Sequence, residues 1–277
     1  MIQIAPGPDG PRLIVEVPAN GLPVYLDNWA IINLAKHEPS RRRRFIDAVH
    51  AGAELLFSFA NVVQLTGPKE RSFDLVKRFL DALGPHWVPI GLTPFTVMEP
   101  NGLTSPETCV SPDLIEAYYR NRIACSSGKI ISLDADFFCL GSVLDWVANS
   151  DVLPKRSAEF DELLRTVRDR REAYKRNPFL AQSFDPSKPA SFAWFNLTKI
   201  LIIESKSHQV KKGDGIDFCH AVMGSAFAKI AALDTTWKRR VEALPKPNGL
   251  ARIYGPQELD QMVTDIELAL KHLAATL

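Results

Sequence analysis

The spacing of apolar positions along the chain switches repeatedly between strand-like and helix-like. "RLIVEV" and "PVYLD" are apolar runs of strand length, and the second passes at Asp27 into "NWAIINLAK", where Ile31, Leu34 and Ala35 recur at helical spacing. The basic run "RRRR" precedes "FIDAVHAG", which reads as a helix, and "ELLFSF" reads as the next strand. "ANVVQLTG" and the amphipathic "ERSFDLVKRFLDALG", closed by a glycine, follow it. Strand, helix, strand, helix predicts an α/β fold with a parallel sheet flanked by helices.

Residues from Pro89 to about Pro112 are rich in proline, glycine and threonine, which marks a boundary or a long surface loop. Beyond it the pattern is mostly helical, in "PDLIEAYYRNRIA", "FDELLRTVRDRREAYKRN" and "FAWFNLTKILIIESK", with proline-bearing breaks such as "NPFLAQSFDPSKPA". Alternation resumes with a helix from Asp214, the strand "KIAALD", a short helix around Trp237, the strand "ARIYG" and a final helix from Pro256. The expected organisation is an α/β domain split into residues 1–100 and 211–277, with residues 101–210 as a helical insertion. No internal repeat is visible.

Composition changes this picture little. A chain of 277 residues can bury a substantial core, and 33 basic against 32 acidic side chains leave a formal charge of +1. Global charge therefore points to no partner. Cys109, Cys125, Cys139 and Cys219 form no CxxC pair and no signal-like segment opens the sequence, so a reducing cytoplasm is expected. The apolar runs are too short to cross a bilayer, and no membrane partner is expected.

Candidate chemistry lies in the carboxylates. Asp27 and Asp234 each follow an apolar strand, and ligands of open α/β sheets bind at the carboxyl ends of strands. Asp217 falls in the first turn of the helix that feeds the second of these strands. If the two strands are neighbours, the three acids converge, and a cluster of this kind calls for a cation such as Mg²⁺ or Mn²⁺. Asp214 and Asp217 also suit a helix start, as N-cap and third helical residue, and Asp234 could cap the helix at Trp237.

"VYLDNWAIINLA", "GDGIDFCHAV" and "ALDTTW" together resemble the acidic signature of PIN-domain nucleases, over roughly residues 22 to 84 and 212 to 272. The resemblance implies a PIN-like, Rossmann-type sheet and a metal-dependent endoribonuclease acting on RNA, as a toxin with an antitoxin partner or as an RNA-processing enzyme. It implies Asp27, Asp217 and Asp234 as catalytic metal ligands, with products bearing a 5′-phosphate and a 3′-hydroxyl. Where the family has a glutamate after the second strand this chain has Gln64, so Asp214 or Glu99 becomes the substitute acid. Asn28 stands one position after the first aspartate, where the family places a small polar residue two positions after it, and is expected to support the site with Gln64.

Arg41, Arg42, Arg43, Arg44, Lys211, Lys212, Lys238 and Arg239 are the candidate contacts to a single-stranded RNA backbone. His220 reads as a core or supporting residue, and Ala221, Gly224, Ser225 and Ala228 as a small-residue face for close helix packing. A competing phosphatase-like reading of Asp134 and Asp136 in "IISLDADFF" leaves Asp27 and Asp234 unexplained. The alternative from another class is a PIN-like module that binds RNA or a protein with little or no catalysis, with Gln64 as its motive. A homo-oligomer is left open.

Overall fold

Parallel pairing of short apolar strands organises the computed structural model, which describes residues 2–5, 12–15, 21–66, 73–91, 98–99, 102–103, 139–148, 162, 183–204 and 213–276. Strands β1 (Ile2–Ala5) and β2 (Arg12–Val15) form an antiparallel pair of their own. The main sheet begins with β3 (Leu22–Leu26), followed by α1 (Asn28–Lys36), α2 (Pro39–His50), β4 (Ala53–Ser58), α3 (Phe59–Leu65), α4 (Phe73–Asp81) and β5 (Trp87–Ile90). A small antiparallel pair, β6 (Met98–Glu99) with β7 (Gly102–Leu103), precedes α5 (Leu140–Ala148) and α6 (Pro189–Glu204). The chain then forms α7 (Asp214–Phe227), β8 (Ile230–Ala232), α8 (Thr235–Glu242), β9 (Arg252–Tyr254), a 3₁₀ turn (Pro256–Glu258) and α9 (Leu259–Thr276).

The sheet is parallel throughout, in the order β5-β4-β3-β8-β9. From β3 the chain winds outward through β4 and β5 and later returns to build β8 and β9 on the other side. The strand order therefore reverses between β3 and β8, which opens a crevice at their carboxyl ends.

Each strand shares its side chains between two buried faces. Val24, Leu26, Leu55, Phe57, Ala232 and Tyr254 join one apolar cluster with residues of α1, α2, α4, α5 and α9. Tyr25, Leu56, Val88, Ala231 and Ile253 join a second cluster with α6, α7 and α8. Both helices described between residues 101 and 210 thus belong to the layers that cover the sheet. The two other helices expected in that segment lie outside the described residues.

Three features were not legible in the spacing alone. β5 was hidden by Pro89, which a strand tolerates here because β5 lies at the sheet edge and the missing N–H leaves no ladder bond broken on its outer side. "RLIV" pairs with β1 in a two-stranded sheet of its own. The arginine run lies inside α2, which starts at Pro39, and works as a clamp between helices. Arg41 grips Asp260 of α9 through Nε and Nη2 at 2.6 and 2.5 Å, and Arg44 grips Glu267 at 2.8 and 2.7 Å. Arg42 donates to the Ala35 carbonyl at 2.8 Å. Of the four, Arg43 keeps 85% of its side chain exposed and, among the described acids, approaches Asp47 at 3.8 Å.

The small-residue face of α7 is needed where it crosses β3. A Cβ placed on Gly224 would lie 2.7 Å from Cδ1 of the buried Tyr25. Gly224→Ala is predicted to lower stability by about 1–2 kcal/mol in urea denaturation, because overpacking outweighs the helix-propensity gain of about 1 kcal/mol. An unchanged or raised midpoint would show that Tyr25 can retreat freely.

Candidate functional site

Adjacency of β3 and β8 brings the predicted acids together. Leu26 pairs with Ala232, and the Asp27 amide continues the ladder by donating to the Ala232 carbonyl at 3.0 Å. Asp27 then turns the chain into α1, its Oδ1 accepting from the Asn28 amide at 2.5 Å. Asp27 is only 5% exposed. Asp234, just past β8, caps α8 by accepting from the amides of Thr236 and Trp237 at 2.6 and 3.0 Å. Both acids are N-caps because short polar side chains at strand-to-helix turns satisfy the first helical amides.

Asp217 enters from α7 and is not a cap. The N-cap is Gly213, at φ 106° and without a side-chain bond, so Asp214 is the first helical residue and Asp217 the fourth. A left-handed φ favours glycine at this position. Freed from capping, the Asp217 carboxylate accepts from Gln64 Nε2 at 3.0 Å. Gln64 in turn accepts from Asn28 Nδ2, and Asn28 Oδ1 accepts from Asn61 Nδ2 at 3.1 Å. Gln64 thus does reach the acids, as a donor rather than as a fourth carboxylate.

The electrostatics are those of an uncompensated cluster. Burial, reinforced by the charge of Asp234, pushes Asp27 up to about 7 despite the Asn28 hydrogen bond. Burial and the charge of Asp27 push Asp217 up to about 6, although the Gln64 bond opposes this. Among the described residues no lysine or arginine pairs with either acid. The ionisable neighbour of Asp27 is His220, whose Nε2 lies 3.9 Å from Asp27 Oδ1. Its ring is fully buried and burial lowers it to about 4, so it is neutral.

As the side chains stand, no three His, Cys, Asp or Glu residues among those described gather closely enough to hold one metal ion. The donor set nonetheless fits a hard divalent cation: the charge of Asp234 helps raise the proton affinity of buried Asp27 and of partly buried Asp217, and no described cation offsets the cluster. Side-chain rotation of these charge-coupled acids would be needed to close it.

Other candidates fall elsewhere. Lys238 is engaged by Glu258 and by Glu242, the latter at 3.5 Å, and Arg239 approaches Glu204 at 3.7 Å with 73% of its side chain exposed. Lys211, Lys212, Asp134 and Asp136 lie outside the described residues, as does the side chain of Glu99. The residues missed by sequence reasoning are Tyr25, Ser58 and Asn61, which connect His220 to the site. Ser58 and Asn61 do carry a signal, the reciprocal capping spacing at the start of α3. Tyr25 carries none, because it sits in an apolar strand. No family model, curated protein or solved structure matches the chain.

The raised acids fix a pH dependence. The native state keeps the Asp27 proton up to about pH 7 while the unfolded chain has lost it near its ordinary value of 3.8. The native state therefore binds more protons in that window, and stability falls as pH rises through it. In chelator at pH 8, Asp27→Asn should be more stable than wild type by roughly 2–4 kcal/mol, and the advantage should vanish near pH 4. Asparagine caps as well as aspartate, so the helix start is preserved. Urea denaturation at both pH values checks it, and a pH-independent difference would refute the buried-charge account.

Proposed function

We propose that the chain is a PIN-like, metal-dependent endoribonuclease that hydrolyses RNA phosphodiester bonds. The observation that carries this reading is the set of Asp27, Asp217 and Asp234 at the β3/β8 reversal, with the proton affinities of Asp27 and Asp217 raised by burial and by neighbouring carboxylate charge, which a bound cation would offset. These acids, with Asp214 beside them, would hold one or two Mg²⁺ or Mn²⁺ ions. Such an ion, when bound, lowers the pKa of a water and stabilises charge on the phosphate.

The chain's own residues do the positioning. Gln64 orients Asp217 through its amide, and Asn28 orients Gln64. Asp234 gives one oxygen, Oδ1, to the two amides it caps, which fixes its carboxylate against rotation. Arg43 and Arg239, the most exposed of the described basic candidates, are available to an RNA backbone, and contacts of that kind position without reading sequence. By family resemblance the products carry a 5′-phosphate and a 3′-hydroxyl, and the role is that of a toxin or an RNA-processing enzyme. The second reading, a catalytically weak RNA-binding or protein-interaction module, is favoured by one observation: an amide, not a carboxylate, touches Asp217.

Incubation of the protein with labelled single-stranded RNA should give cleavage with Mn²⁺ and none with chelator. Asp27→Asn, Asp217→Asn and Asp234→Asn should each lower the rate by at least about 100-fold, equivalent to about 2.7 kcal/mol or more of barrier. Binding without cleavage in wild type would select the module reading. Gln64→Glu separates the readings further. It replaces a donor by a charge next to Asp217, so it should destabilise the protein in chelator and lower the Mn²⁺ concentration needed for cleavage. An unchanged metal titration would remove position 64 from the site.

A further inference from the structure

A chain of hydrogen bonds behind the acids decides which nitrogen of His220 is bare. Asn61 is fixed in orientation at both ends: its Nδ2 donates to the Leu26 carbonyl at 2.9 Å, and its Oδ1 accepts from the Ser58 amide at 2.9 Å. Ser58 Oγ lies 2.9 Å from that same Oδ1, which can only accept. An oxygen pair at this distance without a proton between them is repulsive, so the single hydroxyl proton of Ser58 points to Asn61. Ser58 Oγ then accepts from the Asn61 amide at 3.2 Å and from the Tyr25 hydroxyl at 2.9 Å.

Tyr25 also has one proton, and it is directed at Ser58. Its 2.5 Å contact with His220 Nδ1 must therefore be donated by the imidazole. In the neutral ring, protonation of Nδ1 leaves Nε2 with a lone pair. Nε2 is buried, has no hydrogen-bond partner among the described residues, and lies 3.9 Å from Asp27 Oδ1. The Nε2 lone pair and a carboxylate oxygen thus face each other. Their separation exceeds a hydrogen bond, and it is within the roughly 4.2 Å that one cation spans when it sits about 2.1 Å from each atom.

We infer that His220 Nε2 is a nitrogen ligand beside Asp27, so that the site takes a first-row transition metal, Mn²⁺ among the ions considered, in preference to Mg²⁺. This rests on the metal-dependent reading of the acidic cluster and narrows it. Mg²⁺ takes oxygen ligands, whereas imidazole suits transition metals, so one nitrogen in an otherwise carboxylate set shifts the preference. Tyr25 acts here as a positioning residue: it accepts from Nδ1–H and so aims the Nε2 lone pair, as outer-shell partners of histidine ligands do.

The test begins with wild-type protein. Two-bond ¹H–¹⁵N correlation spectra in chelator should show His220 protonated at Nδ1, and addition of Zn²⁺ as a diamagnetic probe should move the Nε2 resonance. Protonation at Nε2, or a Nε2 resonance indifferent to Zn²⁺, overturns the inference without any variant having to fold. Calorimetric titration should give a Kd for Mn²⁺ at least about tenfold below that for Mg²⁺. His220→Asn, whose amide can still donate to Tyr25, should weaken Mn²⁺ binding by ~10–100-fold and change Mg²⁺ binding little. An unchanged ratio of the two affinities overturns it. Asp27→Asn separates the two levels. If Asp27→Asn abolishes binding of both metals while His220→Asn leaves the ratio intact, only the nitrogen ligand falls, and if Asp27→Asn leaves binding untouched, the acidic cluster falls with it.

Discussion

A carboxylate buried without a counter-charge is the constraint on which the rest of this protein depends. Asp27 is nearly removed from water, sits where β3 becomes α1, and feels the charges of Asp217 and Asp234. Isolated burial of this kind costs stability, because the charged form loses hydration and gains repulsion. The fold tolerates it through backbone satisfaction: the Asp27 amide continues the β3/β8 ladder and its carboxylate receives the first amide of α1. The acid is thus fixed in position by groups that offset the cost of its charge only in part. A cation would supply what those groups do not.

Packing on the second face of the sheet serves the same spot. Gly224 lets α7 lie close enough to β3 for the Tyr25 ring to fit between them, and that closeness brings the Tyr25 hydroxyl to His220, one turn before Gly224 on the same helix. α7 therefore delivers Asp217 at its start and His220 at its second turn to one crevice. Ser58 and Asn61 anchor the network from α3, while Gln64, one turn farther along that helix, reaches Asp217. Three helices that each begin at the carboxyl edge of a strand, or point toward it, meet where the strand order reverses. That is the ordinary consequence of a doubly wound sheet.

Charge on the outside of the molecule is used differently. The guanidinium groups of Arg41 and Arg44 bind α2 to α9 by two-point contacts with Asp260 and Glu267, and Arg240 lies over Trp237 at 4.4 Å while donating twice to Glu204. Planar two-point geometry suits arginine to such clamps. Basic residues that look in sequence like a binding stripe are in this fold largely matched to acids from distant segments. Among the described candidates few remain for a polyanion.

Periodicity by itself determined the α/β alternation, the strand-to-helix turn at Asp27, the helix start near Asp214 and the strand before Asp234, because each follows from the local spacing of apolar side chains. It also marked the three acids as a set. Tertiary structure alone decided that β3 and β8 are neighbours, since strand order depends on pairing between segments about two hundred residues apart. The same holds for the use of the arginine run, for Gln64 as a donor to Asp217, and for the Tyr25–His220 bond across 195 positions. β5 was obscured because a proline is read as a break until the edge position of its strand is known. A hydrogen-bond tautomer is legible only when every partner in its chain is in place, and no local pattern carries that information.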